Sequence, residues 1–225
     1  MDVKARRYDS RRRREQALRS RDRVLDVARQ LLLERGYAST TIASIAEAAD
    51  VSVETVYKVF GGKAGLVRAI WERGLAGSGP IPAWRRSDEM QASEADARSV
   101  IRRWGALMTE VAPLTAPILL LIRAAAAADA EAEALLEETD RSRLERMEHN
   151  AGQLLQRGAL REGVTLEQAR DLLWLYSSAE LYELLVLRRG WSLARYAAFA
   201  AEGMIAALLP TAGPNTSMSS AQAGQ

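Results

Sequence analysis

The chain has no cysteine among its 225 residues. That excludes a disulfide framework and any thiolate metal site, and it fits an expected cytoplasmic location. Histidine occurs once, at His149. It sits among polar neighbours in a helical stretch and cannot supply a multi-histidine metal centre or a conventional catalytic triad. Proline and phenylalanine are scarce, with six and two copies, and the composition matches neither a fibrous nor a wholly disordered chain. No stretch of eighteen apolar residues is free of charge, so no membrane-spanning helix is expected. The charged start lacks the apolar core of a secretory signal. No catalytic residue, metal site or cofactor is expected.

Alanine and leucine dominate a composition that is 48% hydrophobic, which predicts an all-α fold with a substantial core. The net charge is only +2, but it is unevenly placed. Residues 1–23 hold ten Lys/Arg against four Asp/Glu, with Arg11 to Arg14 consecutive. One end of the chain is therefore suited to meet phosphate.

The most informative segment is residues 41–60, which encodes two short helices and a tight turn. Thr41 is a candidate N-cap. Ile42, Ile45, Ala46 and Ala49 follow at one-face helical spacing, and Asp50 is a turn residue that tolerates left-handed dihedrals. Ser52 is a second N-cap. Val53, Val56 and Phe60 repeat at helical spacing, leaving Glu54, Thr55, Tyr57 and Lys58 to face outward. A helix–turn–helix places such a second helix in the DNA major groove. An ordinary helical hairpin in an all-α core is the competing reading. The flanks favour the first: an amphipathic helix carrying Val24, Leu25, Ala28, Leu31 and Leu32 precedes the pair, with Gly36 as its stop. Phe60-Gly61-Gly62-Lys63 opens a further helix behind it.

This run resembles the DNA-binding domain of the TetR family of bacterial transcriptional regulators. The matching elements are Gly36-Tyr37, Thr40-Thr41, Ile45-Ala46, Val51-Ser52, Thr55-Val56-Tyr57, Phe60, Lys63 and Leu66, within roughly residues 20–72. Asp50, Val59 and Ala64 depart from the glycine, histidine and glutamate frequent in the family. The resemblance implies an N-terminal three-helix helix–turn–helix DNA-binding domain and a C-terminal helical ligand-binding and dimerisation domain, about nine helices in all. It also implies a double-stranded operator as partner, a homodimer built on the last two helices, and a small-molecule effector.

The organisation expected is a basic disordered arm at 1–14, the DNA-binding domain at 15–76, a regulatory and dimerisation domain at 92–209, and a disordered tail at 210–225. Helices are expected at 15–35, 42–49, 53–59 and from Lys63 to the glycines at 74–79. The breaker-rich 77–91 reads as a connection. Further helices are expected at 93–111, 115–128, 130–158, 166–188 and 193–209. Pro113 and Pro117 mark the break between the first two of these, and Thr165-Leu166-Glu167-Gln168 is a capping box. Helix 166–188 is apolar on nearly every side, as a helix buried both within its own domain and against a partner copy would be.

Candidate DNA contacts fall into two groups. Ser52, Val53 and Glu54 begin the recognition helix, where Val53 suits a thymine methyl and Glu54 a cytosine amino group; pairing of Glu54 with an arginine is the alternative. Thr41, Thr55, Tyr57 and Lys63 suit phosphate, and Lys58 suits either. Gly61-Gly62-Lys63 lacks the spacing of a P-loop. Candidate ligand-binding residues are Trp104, Met108, Ile122, Arg123, Trp174, Tyr176, Ser177 and Ser178, which mix apolar and polar atoms on inward-looking stretches; ordinary core is the alternative. The favoured function is a ligand-responsive homodimeric repressor. A ligand-independent DNA-binding or architectural factor, and an enzyme with a DNA-binding head, remain open at this point.

Overall fold

The computed structural model describes residues 3–211. They form the α-helices α1 Val3–Arg35, α2 Ile42–Ala48, α3 Val53–Phe60, α4 Lys63–Ala76, α5 Ala83–Ser93, α6 Ala97–Ala126, α7 Ala130–Gln156, α8 Leu166–Tyr176, α9 Ala179–Tyr182 and α10 Leu193–Leu208. A π-helical stretch, Glu183–Arg188, follows α9. The all-α expectation holds. The expected tail at 210–225 lies almost wholly outside the described residues.

Local chemistry explains most boundaries. Thr41 caps α2 by accepting from the Ser44 amide at 3.1 Å, and Ser44 returns the bond to the Thr41 amide at 3.2 Å. Ser52 caps α3 through the Thr55 amide at 3.1 Å. Thr165 and Gln168 form the expected reciprocal box before α8, and Ser192 caps α10. Each satisfies a backbone donor that a helix start leaves open. Asp50 takes φ 51°, the one positive φ outside glycine among the described residues; Arg23 holds its carbonyl at 3.2 Å.

Four expectations need correction. First, α1 begins at Val3, so residues 3–14 are helical rather than a disordered arm. Arginine and glutamate are good helix formers, and the run continues into a helix anchored by buried Val24, Leu25 and Leu32. Second, α5 occupies most of the connection expected at 77–91. Pro82 precedes its first residue, near the position where proline favours a helix start rather than ending one. Third, α6 runs unbroken through Pro113 and Pro117. Pro117 has no amide hydrogen to give the Pro113 carbonyl, and Arg29 Nη2 from α1 donates to that carbonyl instead, at 3.2 Å.

Fourth, the single helix expected at 166–188 is broken at Ser177-Ser178. Ser178 caps α9 through the Leu181 amide. The two carbonyls at the end of α8, Trp174 and Ser177, accept from Arg143 Nη2 at 3.4 and 3.2 Å. Serine side chains compete with the helical ladder, and a cation at a helix C-terminus is favourable.

The core does not stop between an N-terminal head, α1–α4, and a C-terminal body. Leu66, Val67 and Ile70 of α4 lie in one cluster with Ile118, Leu119 and Ile122 of α6 and Leu135 of α7. A second cluster joins Val100, Ile101 and Trp104 to Leu154, Leu173, Met204 and Leu208. By length and composition α6 could cross a membrane; here it is the central helix, packed by α1, α4, α5, α7, α9 and α10, and its apolar character serves that role. It approaches α10 closely at Gly105, where a Cβ would lie 2.9 Å from the Ala197 carbonyl oxygen.

Candidate nucleic-acid interface and ligand cavity

The capped helix α3 turns one side to the head and the other to solvent. Val56 is fully buried against the head, while Val53 and Tyr57 are 41% and 53% exposed. Ser52, Glu54, Thr55 and Lys58 are exposed as well. Val53 therefore faces outward and is not part of the core stripe that its spacing with Val56 suggests. The Thr55 and Ser52 hydroxyls lie 2.8 Å apart. Thr41, whose Oγ1 is an acceptor in its own cap, keeps an O–H to donate outward. Thr41, Val53 and Tyr57 line one surface concavity of about 600 Å³ with Gly61, Gly62 and Lys63.

Lys63 differs from expectation. Its ammonium donates to the Tyr37 carbonyl and lies 4.0 Å from the Tyr37 ring centroid. Burial lowers its pKa, against the pull of Asp129 and Glu131. The same burial, then the same two carboxylates, push Tyr37 up to about 12. In this conformation the charge is engaged by Tyr37, while Lys63 also lines the concavity shared by Thr41, Val53 and Tyr57.

A cavity of about 410 Å³ lies in the body, within the range of small-molecule sites. Of the expected ligand residues, Trp104, Met108, Ser177 and Ser178 line it. Ile122 is buried in the core shared with the head. Arg123 is exposed and pairs with Glu180 and, at 3.8 Å, with Asp140. Trp174 lies under the Arg143 guanidinium, 5.4 Å from its ring centroid, and Tyr176 packs edge-on against Phe199. None of these four reaches the cavity wall.

The sequence pattern gives no sign of α5 or of the roles of the α7 arginines. Arg146 Nη2 donates to the Trp84 carbonyl at 3.2 Å, Ser87 Oγ at 3.0 Å and Asp88 Oδ1 at 2.7 Å, fastening α5 to α7 beside the cavity. Burial pushes the Asp88 carboxyl up, but Arg146 and then His149, 3.3 Å away, more than offset it and hold it below its usual value. Arg143 is one-tenth exposed, paired with Asp140 at 3.1 Å, and burial lowers its pKa. Tyr196 and Trp104 both line the cavity, and each buries a polar atom, Oη and Nε1, that has no hydrogen-bond partner. Among the described residues no group of three His, Cys, Asp or Glu is placed to hold a metal.

A capped, outward-facing second helix on a small helical head, continuous with an all-helical body that holds a cavity, is a helix–turn–helix arrangement. Residues 24–70 match the family described as bacterial regulatory proteins, tetR family. A Bacillus subtilis protein, the uncharacterised HTH-type transcriptional regulator YvkB, is 44% identical over 59 residues, 26% of this chain and 31% of that protein. The matched stretch thus spans under a third of this curated relative. Two solved structures share the fold over nearly the full length. The SmeT–triclosan complex has a TM-score of 0.66 at 22% identity, covering 91% of this chain and 99% of that one. Native NalD, the secondary repressor of the MexAB-OprM multidrug efflux pump in Pseudomonas aeruginosa, has a TM-score of 0.65 at 18% identity, covering 87% and 99%. Residues 24–70 thus match the DNA-binding domain of the TetR family, and the described chain shares the fold of these two solved structures.

Proposed function

We propose that the chain is a homodimeric transcriptional repressor that binds a near-palindromic operator and leaves it when a small molecule fills the body cavity. The observation that carries this is α3: capped at Ser52, anchored by fully buried Val56, and presenting Val53, Glu54, Tyr57 and Lys58 to solvent. Its first turn supplies base-edge contacts and Thr41, Thr55 and Tyr57 supply phosphate contacts. Leu175, Leu184, Leu187 and Phe199 are 44–56% exposed. Apolar side chains of this size on neighbouring elements suit a second copy, and two copies match a two-fold operator. The regulator acts in the cytoplasm, where its operator is.

The cavity lies against Thr115, Ala116 and Leu119 of α6, the segment that also packs on the head. A ligand that favours one placement of the heads over another shifts the population toward it. The test is fluorescence anisotropy of the purified chain with DNA from upstream of its own and neighbouring genes. Saturable binding at one fragment, with steep salt dependence, is expected. Equal affinity for every fragment would overturn the reading.

A further inference from the structure

We infer that the body cavity takes an uncharged, largely apolar molecule with a hydrogen-bond acceptor held by Tyr196 Oη and Trp104 Nε1. This rests on the regulator reading above and names the ligand chemistry of its cavity.

The wall is mostly apolar, built from residues such as Leu107, Met108, Val111, Leu119 and Met204. Among the described residues no carboxylate lines it, so a cationic ligand would lose its hydration without gaining a counter-charge. Its two cations are already committed. Arg143 pairs with Asp140 and holds the two carbonyls at the end of α8. Arg146 pairs with Asp88 and holds the Trp84 carbonyl and Ser87. An anion would have to break one of these sets to be neutralised, and a buried charge left unpaired is costly.

The uncommitted polar groups point the other way. Tyr196 is fully buried and Trp104 is 7% exposed, yet neither the hydroxyl of the one nor the indole N–H of the other has a partner. An orphaned buried donor is costly and uncommon. Indole donates only. Asn150, also on the wall, uses its carbonyl oxygen to accept from Gln91 Nε2 at 3.3 Å, which leaves its N–H groups. What the Trp104 N–H and the Tyr196 hydroxyl lack is an acceptor, and a carbonyl or ether oxygen on an apolar ligand supplies one.

The test uses four probes on one two-ring skeleton: benzophenone, diphenylmethane, diphenylacetate and diphenylmethylammonium. Binding to the full chain is followed by calorimetry and by tryptophan fluorescence. Benzophenone is expected to bind about five- to tenfold more tightly than diphenylmethane, as one or two net hydrogen bonds allow, and both ions more weakly than either. Tyr196→Phe and Trp104→Phe should each reduce the ratio of benzophenone to diphenylmethane affinity. A merely structural role would weaken both probes alike. Preference for either ion, a ketone preference untouched by both variants, or no binding by any of the four overturns the inference. Operator binding by the unliganded chain is measured separately, so the failure of the regulator reading is distinguishable from the failure of this one.

Discussion

Arg68 and Glu138 meet in a two-pronged bond, Nε to Oε1 at 2.7 Å and Nη2 to Oε2 at 2.5 Å, which joins α4 of the head to α7 of the body. The geometry is good, but the side chains are 38% and 49% exposed, and solvent screens such a pair. A double-mutant cycle with Arg68→Ala and Glu138→Ala in urea unfolding should give a coupling under about 1 kcal/mol. A larger value would mean that the pair organises more of the head–body contact than its exposure implies.

Assembly should depend on the exposed leucines of the last helices. The wild-type chain is expected to sediment as a dimer at micromolar concentration. Leu184→Glu or Leu187→Glu should weaken that dimer at least tenfold by burying an unpaired charge and leave the circular dichroism unchanged. Tyr182→Glu should act differently. Tyr182 is buried in its own chain, edge-on to Tyr196 at 5.6 Å, so its substitution should lower the thermal midpoint and not simply dissociate the protein. A wild-type monomer would contradict the assembly outright.

Reading and positioning on α3 should separate by mutation. Val53→Ala and Glu54→Ala are expected to change which operator bases are preferred, by about 1–3 kcal/mol for each base-edge interaction removed. Tyr57→Phe should weaken all sequences alike. Lys63→Ala should chiefly lower stability, because its ammonium is held on Tyr37. Binding-site selection with each variant, alongside a thermal melt, checks the set. A changed base preference for Lys63→Ala at unchanged stability would contradict the arrangement.

Acid should unfold the protein through three carboxyls. Glu110 is held below its usual value by Arg86, despite some burial, and then by the Ser78 and Gly79 amides. Glu138 is held low by Arg68, and Asp88 by Arg146 and His149 once its burial is overcome. Each binds a proton less readily when folded than when unfolded. Their stabilisation is therefore full above the unfolded values of roughly 4 and is lost as pH falls toward the lower folded ones. The thermal midpoint should drop steeply between about pH 5 and pH 3, and Glu110→Gln should flatten that drop while lowering the midpoint at neutral pH. An unchanged profile in Glu110→Gln would show that its bonds do not matter for folding.

Gly77 is tied to the same carboxylate. Its φ is 75°, and an added Cβ would overlap Glu110 Oε1. Gly77→Ala should cost about 1–3 kcal/mol in denaturant unfolding, with the double variant Gly77→Ala, Glu110→Ala costing less than the sum of its parts.

The head was legible because its signals are local. The caps at Thr41 and Ser52, the stripe from Ile42 to Ala49 and the turn at Asp50 lie within a few residues of their partners, and each appears where the spacing puts it. The body was legible as helices but not in its details, where long-range contacts overrule local preference. Pro113 and Pro117 read as a break, but a guanidinium from α1 takes up the freed carbonyl. Helix 166–188 read as continuous, but Arg143, far back along the chain on α7, closes α8 at Ser177. Trp104, Ser177 and Ser178 of the cavity wall were among the sequence candidates, but Tyr196 was not: it sits at ordinary core spacing on α10, and its unmet hydroxyl is visible only when every neighbour is in place.

The bond from Arg29 to the Pro113 carbonyl has a mechanical meaning. A helix resists bending through its ladder of amide bonds, and α6 lacks two rungs between Thr109 and Pro117. That compliant stretch borders the cavity along one side and is gripped by the first helix on the other. Were a guest to flex that stretch, the bond would carry the movement to α1 directly, as a lever moves at its thinnest section. Restoring one rung by Pro117→Ala would stiffen the lever and give the carbonyl a competing donor, leaving a sturdier protein whose two ends respond less to each other.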